Sequence, residues 1–445
     1  MTLISKLLNS LKDSIIKKSL NVLILRVLGA GLQILVLLVI TNSAAEQLVG
    51  QYNYFNSTII LLGAVTLLGM NTSFLQFSGR FDAAGEFNKI VNLYKKKITL
   101  LSGMFVLFFI LYVILAKVIN IPYFQDEEVT YVVNKVFIAL FPFTLTLLNL
   151  EVLRALDLLY TSETLRNVGR FGLLLLFVLV LIFFESIEYL LDAFILSFIV
   201  LAIYSSTIIL LKMRKLRSTD RVFNVGYREI LKVSFPMSFS LISLLIMQSF
   251  DIYVLEKYFS FTVVAYYGIA IKISAVVGII LTSINATIAP QISKLFFERN
   301  FDDLAEVIRK ATTLNVVLSV PLIIFLIIFS NLILSFFGEN YVLAQSALYI
   351  ILVGQIFNAL CGPVGLYLNM TGRQNLFQKV LFVALIINIV MNLVLIPKYE
   401  MIGAAISTAF SFTLWNITGL LIAYKKDNIN LSIFGFFSRP KQQKN

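Results

Sequence analysis

Apolar positions in this chain gather into about twelve runs, each near the ~20 residues that cross ~30 Å of hydrocarbon. The runs fall at roughly 19–41, 48–73, 98–118, 130–153, 166–184, 189–211, 230–254, 262–289, 311–330, 342–368, 377–396 and 402–424. They lack the dyad alternation of barrel strands, and lipid offers no partner for a free backbone group, so every run is expected as an α-helix. No connector is long enough to hold a separate folded domain. The longest hydrophilic stretch, near 212–229, lies at the midpoint. It predicts an all-α, polytopic membrane protein of two six-helix bundles, residues 1–215 and 216–445.

Charge sharpens this picture. Of the 36 Lys and Arg residues, Arg26, Lys135 and Lys272 lie within runs, and Lys117, Lys257 and Lys398 fall on alternate connectors. The remaining 30 gather at the N-terminus, on the other set of connectors and in the tail. Lys6, Lys12, Lys17 and Lys18 precede the first run, and Lys95, Lys96 and Lys97 precede the third. Lys212, Arg214, Lys215 and Arg217 mark the centre, and Lys425, Lys426 and Arg439 the end. Short basic loops stay in the cytoplasm, so both termini are expected there.

Composition excludes several classes. A mean hydropathy of +0.90 and 59% hydrophobic residues do not describe a soluble protein of 445 residues. The net charge of +12 is scattered over short loops, which suits anionic headgroups and argues against nucleic acid. One cysteine, Cys361, permits no internal disulfide, and the absence of histidine removes the usual metal ligand and proton relay. No Walker A loop, nucleophile elbow, His-Glu-x-x-His or dinucleotide fingerprint is present. No catalytic residue, metal site or cofactor is expected.

The candidate residues are polar groups at depth. Arg26 lies a third of the way into the first run, where a charge costs roughly 2.5–3.5 kcal/mol unless it faces protein or water. Gly29 and Gln33 share its face at i+3 and i+7. Arg26 is therefore a substrate contact, or it snorkels, or it pairs with a buried acid. Lys272 lies near the midplane of the eighth run with Gly268, Ala275, Gly278 and Thr282 on its face; it lines a cavity or pairs with Asp251. Asp251 and Asp192 sit at outer ends of runs, as solvated acids or as proton- or sodium-responsive gates. Glu151, Arg154 and Asp157 are spaced for an intrahelical ladder, with an inner gate as the alternative. Asn56, Gln355 and Asn358 are amides that suit a carbohydrate's hydroxyls and equally suit interhelical hydrogen bonds. Pro236, Pro290, Pro321 and Gly362-Pro363 weaken helices at depth.

The halves match weakly: Tyr52, Asn71 and Arg80 recur as Tyr266, Asn285 and Lys294. That is the pattern of parallel repeats with a substrate site between them. Three local runs carry a family resemblance: Leu48 to Tyr52; Asp251 to Glu256 with Val264 to Ile273 and Ala289 to Ser293; and Gly354 to Asn358 with Gly362-Pro363 and Asn369 to Arg373. In these the chain resembles the polysaccharide flippases of the Wzx type, in the multidrug/oligosaccharidyl-lipid/polysaccharide exporter superfamily. The resemblance implies a MATE-like fold, alternating access and a cationic central cavity. It implies movement of undecaprenyl-pyrophosphate-linked repeat units across the bacterial inner membrane for O-antigen or capsule synthesis. Arg26 matches the first-span arginine of related lipid-linked-sugar flippases, and Lys272 an eighth-span basic position. Implied partners are the lipid-linked glycan, membrane lipid, a polysaccharide polymerase and a chain-length regulator. Few other cations lie within the runs, so the cavity is expected to be only modestly positive. A cation-coupled multidrug exporter is the neighbouring alternative, and a membrane polysaccharide polymerase the enzymatic one.

Overall fold

The apolar runs fold as helices whose ends are set by identifiable residues. The structure is a computed structural model that describes residues 14–83, 87–118, 126–214 and 225–433. Lys6, Lys12, Lys215, Arg217 and Arg439 lie outside the described residues, as do the side chains of Arg80, Pro236, Pro290 and Lys294. Among the described residues there is no strand.

Helix α1 (Ser14–Ser43) forms the first expected span. The second is α2 (Glu46–Leu67) and α3 (Met70–Ala83), bent by 44° where Leu68 and Gly69 take φ values of 43° and 73°. Helix α4 (Ile90–Val113) is followed by a π turn, Ile114–Val118. Helix α5 (Glu127–Ala155) starts where the Asp126 carboxylate accepts from the backbone amides of Glu128 and Val129. That contact satisfies two of the helix's free donors. The fifth span begins earlier than its hydropathy predicts. It comprises α6 (Leu159–Glu163), a π turn over Thr164–Gly169 and α7 (Arg170–Phe183). Arg166 and Arg170, expected at the very start of the run and counted with its basic connector, therefore lie well inside the span.

Helices α8 (Leu190–Met213), α9 (Tyr227–Tyr258) and α10 (Phe261–Phe297) follow. Next come α11 (Phe301–Ile328), capped by Asn300, and the short α12 (Ser330–Ser335). The tenth span is α13 (Gln345–Cys361) and α14 (Val364–Met370), interrupted at Gly362-Pro363. Gly362 has φ +76°, and a Cβ there would lie 2.3 Å from Thr312 Oγ1 and 2.6 Å from the Leu431 carbonyl. Only glycine meets both demands. Helix α15 (Gln374–Asp427) covers the last two expected spans, and its backbone leaves the helical region at Glu400 (φ 49°, ψ −129°).

Among the described residues nine helices are long and apolar enough to cross a membrane, or ten with the bent pair counted as one span. In the span at Ile90–Ala116 only 11% of the most apolar window is buried, and Val106, Leu107, Ile110 and Leu111 face outward. An apolar surface that continuous suits lipid rather than water.

The chain forms two compact units, one of Met1–Leu48 with Phe55–Ser238, the other of Val49–Tyr54 with Phe239–Asn445. The boundary thus differs from the expected 215/216 division, for two local reasons. The first turns of α9 stay with the first unit: Ser234 Oγ lies 2.7 Å from Ser73 Oγ, and Lys96 donates to the Val225 carbonyl at 2.8 Å. Near its start α2 passes against α10, so closely that a Cβ on Gly50 would lie 1.7 Å from the Phe261 carbonyl oxygen. The Tyr54 ring meets Tyr253 and Phe261 edge to face. The first unit's core centres on Phe74, Phe77, Leu93, Leu148 and Leu153, and the second unit's on Ile292, Leu304, Ile308, Tyr367 and Leu381.

Candidate functional site

In the first unit the polar groups collect around the π turn. Arg26 projects from α1 with its side chain 52% exposed, and its Nε donates to Glu163 Oε2 at 3.3 Å. Glu163, at the end of α6, is buried, and Asn167 donates to the same oxygen at 3.3 Å. The close approach of α1 requires Gly29, where a Cβ would lie 2.5 Å from the Asn167 Cβ. Arg26 therefore meets a buried acid while keeping half its surface open. Gln33, two turns along α1, is exposed.

Two further arginines sit on this segment. Arg170 donates to Asn56 Oδ1 at 3.5 Å, and its guanidinium lies over the rings of Phe171 and Phe198 at 5.2 and 5.4 Å. Arg166 and Arg154 both grip Glu151, at 2.5 and 3.0 Å. The ladder expected of Glu151, Arg154 and Asp157 is thus only partly intrahelical: α5 ends at Ala155, and Asp157 turns away with φ 60°. What holds Glu151 is a two-arginine clamp from different helices. A buried carboxylate needs such compensation.

Lys97 departs most from its expected place. Read as one of three loop lysines, it is fully buried, donating to the Met70 carbonyl at 2.6 Å and Ser73 Oγ at 2.8 Å. Phe74 and Phe77 present their ring faces to it at 5.2 and 5.4 Å. Its ammonium is thus met by one backbone carbonyl, one hydroxyl and two ring faces at the start of α3. Lys135 and Asp192 pair at 2.6 Å with the acid 39% exposed, the geometry of an interfacial salt bridge rather than a sealed gate.

In the second unit Lys272 on α10 donates to Asn53 Oδ1 at 2.5 Å and lies over the Tyr52 ring at 5.2 Å. Gly268 leaves room for that amide, since a Cβ there would lie 2.5 Å from Asn53 Nδ2. Beyond Lys272 the same face opens: Ala275 and Thr282 are exposed, and nothing lies within 4 Å of a Cβ on Gly278.

The expected alternative, a Lys272–Asp251 ion pair, is not formed. Asp251 is fully buried and accepts from Tyr267 Oη at 2.7 Å, Thr408 Oγ1 at 3.2 Å and the Ile252 amide at 2.9 Å. Its place as a solvated end-of-span acid is also corrected, because α9 continues to Tyr258, seven residues or ~10 Å further. Gln355, Asn358 and Asn416 form a chain, Asn416 Nδ2 to Asn358 Oδ1 at 3.2 Å and Asn358 Nδ2 to Gln355 Oε1 at 3.3 Å. The Asn416–Asn358 bond joins two helices, a contact typically worth ~0.6 kcal/mol in lipid, whereas Asn358–Gln355 lies within α13.

The comparisons with known proteins agree with this architecture. The MatE family model matches residues 236–394. The chain is 23% identical over 163 residues to Agl15, a probable low-salt glycan biosynthesis flippase of Haloferax volcanii, covering 36% of this chain and 34% of that protein. It is 26% identical over 180 residues to a putative O-antigen transporter of Shigella flexneri, covering 40% and 41%. The matched stretch is less than half the length of each of these curated relatives. Among solved structures it is similar to an inward-facing multidrug resistance MATE family transporter of the MOP superfamily, with a TM-score of 0.73, 16% identity and coverage of 89% and 94%. It is similar also to the lipid II flippase MurJ in an inward closed conformation, with a TM-score of 0.72, 15% identity and coverage of 94% and 90%. At such identities the likeness speaks for the fold. The chain is thus a multi-pass, all-α membrane protein with the fold of those transporters, and the MatE family model matches the part of it that runs from α9 into α15.

Proposed function

We propose that this protein is a flippase, a transporter rather than an enzyme, that carries a lipid-linked oligosaccharide across the membrane by alternating access. The finer reading is an undecaprenyl-pyrophosphate-linked repeat unit, moved from the cytoplasmic to the periplasmic leaflet of a bacterial inner membrane for O-antigen or capsule synthesis. The observation that carries it is Arg26: a guanidinium inside the first span, half exposed and held by one contact. Such a group suits phosphate oxygens, which a guanidinium grips bidentately. Lys272 on the open face of α10 is the second anion contact. Asn56, Gln33, Gln355 and Asn358 are the amides that meet the glycan, and the isoprenoid tail stays in lipid. A polymerase and a chain-length regulator act on the product. The roles named for the archaeal and Shigella relatives support this reading.

Coupling is assigned to Asp251, a buried carboxylate that, among the described residues, two hydroxyls and the Ile252 amide compensate. Asp192, paired with Lys135, is the weaker candidate. The buried acid and the likeness to MATE transporters also favour a second reading, a cation-coupled drug exporter. Arg26→Ala and Lys272→Ala separate the two. A flippase with either change loses glycan export at unchanged membrane abundance, and Arg26→Lys is impaired because an ammonium cannot grip bidentately. Normal export by both alanine variants overturns the flippase site, and altered drug tolerance with intact glycan favours the exporter.

A further inference from the structure

Glu163 and Arg26 are unequally placed. The acid is 1% exposed and the base 52%. Glu163 is anchored, since Asn167 donates both to its Oε2 at 3.3 Å and to its backbone carbonyl at 2.9 Å. Arg26 touches it through Nε alone, at 3.3 Å. A guanidinium carries five donors, and its strongest grip on an oxyanion uses two in parallel. Here the contact is side-on and long, and among the described residues Nη1 and Nη2 meet no acceptor. The base is thus neutralised weakly, with its better binding edge left open. A pair meant only for stability would use that edge.

We propose that Glu163 is a resting counter-ion that competes with the substrate's phosphate for Arg26, so that the empty carrier does not hold an uncompensated charge and the loaded one does not hold its anion too tightly. This rests on the reading of Arg26 as an anion contact. Glu163 is then a positioning residue with a measurable sign. Removing its charge strengthens anion binding, whereas removing a mere brace loosens Arg26 and weakens it. The pair is half exposed, so its strength is that of a surface contact and the effect is modest, roughly three- to tenfold in affinity.

The test uses the full chain in detergent with inorganic pyrophosphate as probe, comparing wild type, E163Q, R26A and the double variant at low salt. E163Q keeps the shape and one acceptor of the carboxylate. The proposal expects R26A to bind more weakly than wild type, E163Q about three- to tenfold more tightly, and E163Q to change nothing in the R26A background. Reconstituted E163Q transports more slowly, because release is slowed. Equal or weaker pyrophosphate binding by E163Q, with R26A weakened, overturns the counter-ion role and leaves the anion site standing. Equal binding by R26A and wild type overturns both. Where E163Q does not fold, E163D carries the test, since it withdraws the charge by one methylene; binding below wild type overturns the proposal. Phosphatidylglycerol added to the micelles leaves pyrophosphate affinity unchanged; if it competes through Arg26, the anion is a bilayer headgroup and the substrate reading fails.

Discussion

Gly268→Ala adds one methyl group where Asn53 holds Lys272. The new Cβ would lie 2.5 Å from Asn53 Nδ2 and 2.9 Å from its Cγ, where ordinary contact begins at 3.4 Å. The amide must retreat by about 1 Å, and small shifts of that kind in a packed interface cost about 1–3 kcal/mol. Asn53 is buried and cannot swing into solvent. Alanine offsets part of this, because it favours a helix over glycine by about 1 kcal/mol. The net is a loss of up to about 2 kcal/mol, together with the 2.5 Å Lys272–Asn53 hydrogen bond. Gly278→Ala on the same helix is the control. Nothing lies within 4 Å of its Cβ, so the propensity term acts alone and stability rises. Thermal unfolding in detergent reads both signs. Adding Asn53→Ala to Gly268→Ala restores part of the loss, since the clashing atoms are gone and neighbouring changes are not additive. A Gly268→Ala protein as stable as Gly278→Ala would refute the reasoning.

Two other predictions concern coupling and orientation. Asp251→Asn keeps the size of a buried group bound by Tyr267 and Thr408 but fixes its charge at zero, so reconstituted transport loses its response to an imposed proton or sodium gradient; a full response removes Asp251 from the mechanism. The positive-inside rule applied to the basic loops leads to the expectation that both ends are cytoplasmic: reporters fused after Lys215 and after Lys425 should both give cytoplasmic signals, and a periplasmic signal at either overturns that orientation.

How much of this was legible in the sequence depended on whether a residue's neighbours shared its environment. The spans were legible, because hydropathy over twenty residues is an average that single polar groups do not spoil. Even the break at Glu400, a kink between two helical stretches, fell between two expected runs. Arg26 stood out by its depth. Glu163 did not, because Thr161 and Ser162 beside it read as a connector, and only the π turn that starts the fifth span early brings it inside. Lys97 was hidden by Lys95 and Lys96. Three successive residues of a helix point in three directions, and here Lys95 is exposed, Lys96 reaches Val225 and Lys97 is buried. Asp251 reads as the end of its span because Glu256 and Lys257 follow the apolar run, whereas α9 continues through both. Partners distant in sequence, such as the 137-residue separation of Arg26 and Glu163, leave no trace in a single chain's pattern.

The most direct test of the flippase claim is the sidedness and length of the lipid-linked glycan in cells lacking this protein. A flippase leaves single repeat units stranded on the cytoplasmic leaflet and no surface polysaccharide. Single units exposed on the periplasmic face, or intact surface glycan, would contradict it.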